Sequence, residues 1–163
     1  MLFHPLLIDQ LERLAAAAEK ETAKRAPGDP EGPNTKLLFA LRRLLFKEIP
    51  EDPSRPKYRQ GGTLGAEQKH WMRAKFGNGR FRLFFRYHQD VRLIVMTWVN
   101  DSETLRTYGS KTDAYAVFKR MLDGGNPPND WDSLVRDAST PGALQRAQTI
   151  SPESRDEGAG PRG

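Results

Sequence analysis

Arg80 to His88 alternates strictly between two kinds of side chain, the pattern of a half-buried strand whose side chains point to opposite faces in turn. Phe81, Leu83, Phe85 and Tyr87 fall on one face, and Arg80, Arg82, Phe84, Arg86 and His88 on the other. Immediately before it, Gly77-Asn78-Gly79 supplies residues that accept the positive φ angles of a hairpin turn. The stretch before the turn splits in the same way, with Trp71, Arg73 and Lys75 on one face and Met72, Ala74 and Phe76 on the other. After Gln89-Asp90, the run from Arg92 to Val99 is apolar on both faces, as a central strand covered on both sides should be. These three segments predict an antiparallel meander. In the simplest register, Trp71, Arg73 and Lys75 lie beside Arg80, Arg82, Phe84 and Arg86 on one sheet face.

That face is strongly basic. The chain has a formal net charge of +5. Between Pro53 and Val99 only Glu67 and Asp90 oppose Arg55, Lys57, Arg59, Lys69, Arg73, Lys75, Arg80, Arg82, Arg86 and Arg92. Like charges placed opposite each other on neighbouring strands are destabilising, so their accumulation needs a reason, and phosphate is one. The plainer alternative is a set of long side chains lying over a solvated sheet edge.

Several chemistries are excluded or disfavoured. The chain has no cysteine, which removes disulfides, Cys-ligated zinc and thiol nucleophiles, and fits a reducing cytoplasm. His4, His70 and His88 are far apart and in no metal-site spacing, so no bound metal is expected, nor any other cofactor. Gly109-Ser110-Lys111-Thr112 departs from a phosphate loop, with Ser110 where glycine must precede the lysine and Leu105 where the first glycine must stand. No Gly-x-Ser-x-Gly occurs, and no paired carboxylates stand out in the basic region. The N-terminal segment lacks a basic start and is broken by Asp9, Glu12 and Arg13, which fits neither a signal peptide nor a membrane span.

Around the strands the chain predicts helices. Leu7, Leu11, Leu14 and Ala18 recur at helical spacing from about Pro5 to Lys24. A Pro- and Gly-rich loop follows from Ala26 to Asn34, and a second helix from Asn34 or Thr35 carries Leu37, Leu38, Leu41, Leu44, Leu45 and Phe46. The two form a helical hairpin packed on the sheet. Pro50 to Gly65 is a long irregular connection, of a kind often functional or mobile. Further helices are expected from Asp113 to Leu122 and around Trp131 to Arg136. The whole reads as an α+β domain over residues 1–137, with 138–163 a disordered tail by composition.

RNA brings its own nucleophile, the 2′-hydroxyl. An enzyme that cuts it must orient that group, stabilise the phosphorane with fixed cations and move two protons. Arginine suits the phosphate oxygens, and Arg82 and Arg106 are the candidates. Tyr108, Tyr115, Lys75 and Lys111 lie in or near the basic region as proton-transfer groups, although Tyr115 also fits the core face of a helix. Trp71 or Phe84 is expected to stack on a base, with Arg73, Arg80, Arg86 and Tyr115 completing an RNA-binding surface. The same charge also fits a non-catalytic RNA- or ribosome-binding module, or a DNA-binding regulator, although no helix-turn-helix is evident.

The strings FGNGRFRLFFRY, WVNDSETLRTYGSKTDAYAVF and MLDGGNPPNDW closely resemble the YhaV toxins, a branch of the RelE-like toxin superfamily, over roughly Thr35 to Arg136. The resemblance implies a RelE-like fold, two helices packed on an antiparallel meander, and the toxin of a type II toxin-antitoxin system. It further implies a metal-independent endoribonuclease acting on mRNA, usually at the ribosome. Its expected partners are a PrlF-like antitoxin of the swapped-hairpin, AbrB-like type and, through the complex, operator DNA. Arg82 matches the essential arginine on the strand after the hairpin, Lys75 and Arg73 match basic positions on the strand before it, and Arg106 and Tyr108 are the nearest matches to an Arg and Tyr beyond the last core strand. Because this chain continues into a further helix, Lys111 or Tyr115 are alternatives for those roles.

Overall fold

The computed structural model describes residues 1–100 and 113–152. Leu2–Phe3 (β1) leads into a helical hairpin of Pro5–Lys24 (α1) and Pro33–Arg43 (α2), the latter prolonged by a wide turn and by Ile49–Glu51 (α3). Met72–Phe76 (β2), Phe81–His88 (β3) and Leu93–Val99 (β4) are the three expected strands, and Ala114–Asp123 (α4), Trp131–Ala138 (α5) and Pro141–Ile150 (α6) follow. The sheet order is β1-β4-β3-β2.

Three of these strands make the predicted antiparallel meander, but the sheet is mixed, because β1 pairs with β4 in parallel. Two residues are too few to show alternation, so β1 leaves no periodic trace in the sequence. Its role is visible only in three dimensions: it completes β4 as a strand hydrogen-bonded on both sides, and β4 is buried from Ile94 to Val99.

The β2–β3 register sets Arg73 opposite Phe84 and Lys75 opposite Arg82, so the two basic sets do share one sheet face. Arg80, however, lies in the turn, since β3 begins at Phe81. Gly77, Asn78 and Gly79 all take positive φ. At Gly77 a Cβ would come within 2.7 Å of the Phe81 ring, so glycine is required there for space as well as for angle. Between Phe84 and Phe85 the β3–β4 register slips at a bulge, pairing Phe84 with Trp98 and Phe85 with Met96. This keeps Trp98 on the face of Phe84 and Met96 on the face of Phe85.

Each face has its own core. Leu7, Ile8, Leu41 and Leu45 from the helical hairpin pack on Leu83, Phe85 and Met96, and the 50–65 connection adds Tyr58, edge-on to Phe85 at 5.5 Å. On the opposite face Phe118 and Leu122 of α4 and Leu134 of α5 cover Trp71, Phe84, Val95 and Trp98. Phe118 stacks on Phe84 at 4.3 Å and meets Trp71 edge-on at 4.9 Å. The connection from Pro50 to Gly65 is anchored in both cores, by Tyr58 in one and Leu64 in the other.

The expectation of a tail from residue 138 is corrected by α6. Thr140 caps it by accepting the Ala143 N–H at 3.1 Å, with Pro141 in the first turn, a start signal that the polar composition obscured. Ala143 is buried, and Arg146 donates to Glu12 at 2.9 Å and to Asp9 of α1. Arg42 of α2 reaches the Ile150 carbonyl at 3.4 Å.

His4 caps α1. Its Nδ1 accepts the Leu6 N–H at 3.2 Å, and its Nε2 lies 3.2 Å from Asp137 Oδ2, which requires the neutral ring with its proton on Nε2. Burial lowers the His4 pKa, against the opposing pull of Asp137. The unfolded chain therefore binds this proton first as pH falls, and stability decreases with acidity below the ordinary histidine value of about 6.5. Denaturant midpoints measured between about pH 7 and 5 should fall with pH, and His4→Asn, which retains a capping acceptor, should flatten that slope.

Candidate active site

The hairpin end of the basic face is organised by Asn100, which the residue pattern did not single out. Its side-chain Oδ1 accepts the Arg82 N–H at 2.5 Å, its Nδ2 donates to the Arg80 carbonyl at 3.1 Å, and its own N–H donates to the Arg82 carbonyl at 3.3 Å. Asn100 is 1% exposed. The backbone on either side of Arg82 is thereby fixed by one residue just beyond β4.

Arg82 is 5% exposed, yet among the described residues its guanidinium meets only neutral acceptors: Nη1 donates to the Gly79 and Phe81 carbonyls, and Nε is buried without a partner there. Among the described residues no carboxylate pairs with Arg73, Lys75, Arg80 or Arg82. A guanidinium withdrawn from water and facing no carboxylate among the described residues creates a positive potential at the hairpin end. Lys75 across the strand pair and Arg80 in the turn are both exposed and add to it.

A second group sits further along β2. Arg73 donates from Nε to the Tyr115 hydroxyl at 2.9 Å and from Nη1 to the Lys57 carbonyl at 2.7 Å. Tyr115 is buried and edge-on to Phe84 at 5.6 Å. It belongs to the core and holds Arg73 with its hydroxyl. Lys57, whose ammonium lies over the Tyr58 ring at 5.3 Å, joins this group from the irregular connection.

The expected base-stacking residues are corrected. Trp71 and Phe84 are both fully buried beneath α4, because that helix covers the sheet face that the alternation left open. Arg86 likewise is committed to the protein. It lies between the Trp71 and Trp131 rings at 5.3 and 5.5 Å, and donates to the Asn129 carbonyl at 2.7 Å. Burial lowers its pKa to about 10, which leaves it charged at neutral pH. Asn129 also accepts from Trp71 Nε1 at 2.8 Å, and no sequence signal marked it.

Arg106, Tyr108 and Lys111 lie outside the described residues. The described residues on either side of them belong to the two groups above. Asn100 clamps Arg82, and Tyr115, two residues beyond Asp113, holds Arg73.

An α+β domain that gathers cations at one hairpin end with no carboxylate partner among the described residues, and that fixes the main chain of Arg82, is of a class suited to a polyanion such as nucleic acid. Residues 1–139 match a family described as a toxin with endonuclease activity, of a toxin-antitoxin system. The chain belongs to this YhaV toxin family. It is 43% identical over 135 residues to the ribonuclease toxin YhaV of Escherichia coli (strain K12), covering 82% of this chain and 88% of that one. Toxin YhaV of Escherichia coli O157:H7 is similar to the same extent. No solved structure matches the chain. The family assignment makes it a toxin with endonuclease activity whose system includes an antitoxin. Helix α6 lies beyond the matched residues.

Proposed function

We propose that the chain is a metal-independent endoribonuclease that cuts RNA by attack of the strand's own 2′-hydroxyl, with Arg82 at the scissile phosphate. The observation that carries this is the buried Arg82 guanidinium, which has no carboxylate partner among the described residues. In the reaction the 2′-oxygen bonds to phosphorus as the bond from phosphorus to the 5′-oxygen breaks. One proton leaves the 2′-oxygen and another reaches the departing 5′-oxygen, giving a 2′,3′-cyclic phosphate and a 5′-hydroxyl. Arg82 and Arg106 stabilise the charge that develops on the non-bridging oxygens, Lys75 and Arg80 hold flanking phosphates, and Tyr108, with Lys75 or Lys111, moves the protons. Arg73, fixed by Tyr115, serves the strand further along β2.

The name of the Escherichia coli relative, a ribonuclease toxin, supports RNA as substrate. The helical hairpin over antiparallel strands supports a RelE-like arrangement. On this reading the protein acts in the cytoplasm on mRNA at the ribosome, a PrlF-like antitoxin neutralises it, and the complex binds operator DNA. The test is chemical. New RNA ends mapped after a short pulse of expression without antitoxin should carry 5′-hydroxyls, and a substrate with a single 2′-deoxy sugar at the cut site should resist. Cutting at the deoxy site would overturn the mechanism, and inhibition without new ends would favour blocking by occupancy.

A further inference from the structure

The sheet face that carries Arg82 is not the only cationic surface. Beyond Pro33 at the start of α2, the residues left exposed along α2 and the wide turn that prolongs it are Lys36, Phe39, Arg43 and Lys47. Their spacing of three and four residues places them in one row on the side of the helix away from the core. The row is roughly 15 Å long at about 1.5 Å per residue.

Two features set this row apart from an ordinary solvated helix face. Phe39 is 70% exposed, the most exposed large apolar side chain among the described residues, although Leu37, Leu38 and Leu41 beside it all contribute to the core. The turn from Leu44 to Glu48 is π-helical, with the Ile49 N–H bonded to the Leu44 carbonyl. Pro50 has no N–H to continue the regular pattern, and the wider turn still brings Lys47 into line with Arg43. Among the described residues the only acid paired with the row is Glu48, 3.6 Å from an Arg43 that is itself well exposed, a contact of little strength.

We infer that Lys36, Phe39, Arg43 and Lys47 form a second RNA contact, which takes an unpaired segment of strand with one base stacked on Phe39 and the backbone along the three cations. The proposal rests on RNA being the substrate. The composition of the row favours a strand over a protein partner. It offers a single aromatic ring among three cations, where a docking site for an apolar helix would need contiguous apolar area. Because α1 and α2 cover the sheet face opposite Arg82, this contact lies across the molecule from the proposed cleavage site. It would add hold on the RNA without touching the scissile phosphate.

The test uses the full chain carrying Arg82→Ala, so that bound RNA is not cut, and a fluorescein-labelled unstructured RNA. Phe39→Ala should weaken binding by about 5- to 100-fold, the range for loss of one stacked base. Lys36→Gln with Arg43→Gln and Lys47→Gln should reduce the slope of log affinity against log salt by roughly 2, about 0.7 per cation removed. All four side chains are exposed, so melting temperatures should hold and confirm that folding is not the cause. Affinity and salt slope equal to the parent's would overturn the inference, and so would variants that bind RNA normally but escape the antitoxin, since the row would then be a protein surface. Cleavage by the unmutated protein, measured alongside, keeps the two ideas apart. If it cuts RNA while the row variants bind as the parent does, only this contact is lost. If it cuts no RNA at all, the ribonuclease reading itself fails.

Discussion

Arg82→Ala is expected to lower RNA cleavage by about 10²–10³-fold, the usual cost of removing one preorganised charge-stabilising group, and to remove growth inhibition with it. The protein should stay folded, because Asn100 holds the main chain of residue 82, and those hydrogen bonds survive loss of the side chain. Removing a buried cation that meets only neutral acceptors among the described residues also relieves a desolvation cost. Arg82→Lys should recover little, since one ammonium cannot reproduce the forked geometry that holds Nη1 on the turn and leaves the remainder for a phosphate. The measurement is a single-turnover rate beside a thermal melt. A folded Arg82→Ala protein that cuts at the unmutated rate would remove Arg82 from the mechanism.

The second large effect is on stability. Trp71→Ala should cost about 3–5 kcal/mol, as for other large aromatic truncations in a core. At roughly 2–4 °C per kcal/mol for a chain of this size, the melting temperature should drop by about 6–20 °C. The ring is fully buried against Phe118, its Nε1 is hydrogen-bonded to Asn129, and it forms one side of the sandwich that holds Arg86. Its removal would leave the half-buried Arg86 cation with one aromatic face. Had Trp71 been a base-stacking residue, the substitution would reduce RNA affinity at constant stability, so melting and binding measured together separate the two roles.

The difference between those roles shows what the sequence could convey. Alternation in β2 and β3, the apolar run of β4 and the helical spacing of α1 carry their own signatures, because each depends on neighbours in the chain. They placed the strands, and they put Lys75 beside Arg82. What they could not convey is which face stays open, since that depends on where α4 and α5 return. A face reading Arg, Phe, Arg looked solvated and turned out to be roofed by Phe118 and Leu134. Asn100 was missed because its bond to Arg82 spans 18 residues and leaves no local pattern. Helix α6 was missed because its core contacts come from Ala143, Ala147 and a single large apolar residue, Ile150, which a composition count scores weakly.

The contacts that close the fold join distant parts of the chain: His4 with Asp137, and Asp9 and Glu12 with Arg146, the last of these across 134 residues. During synthesis at about 5–20 residues per second, on the order of ten seconds pass between the appearance of α1 and that of its clasp. Over that interval β1 and α1 exist without the elements that seal them. The nascent chain therefore cannot make these contacts until its last helices have emerged.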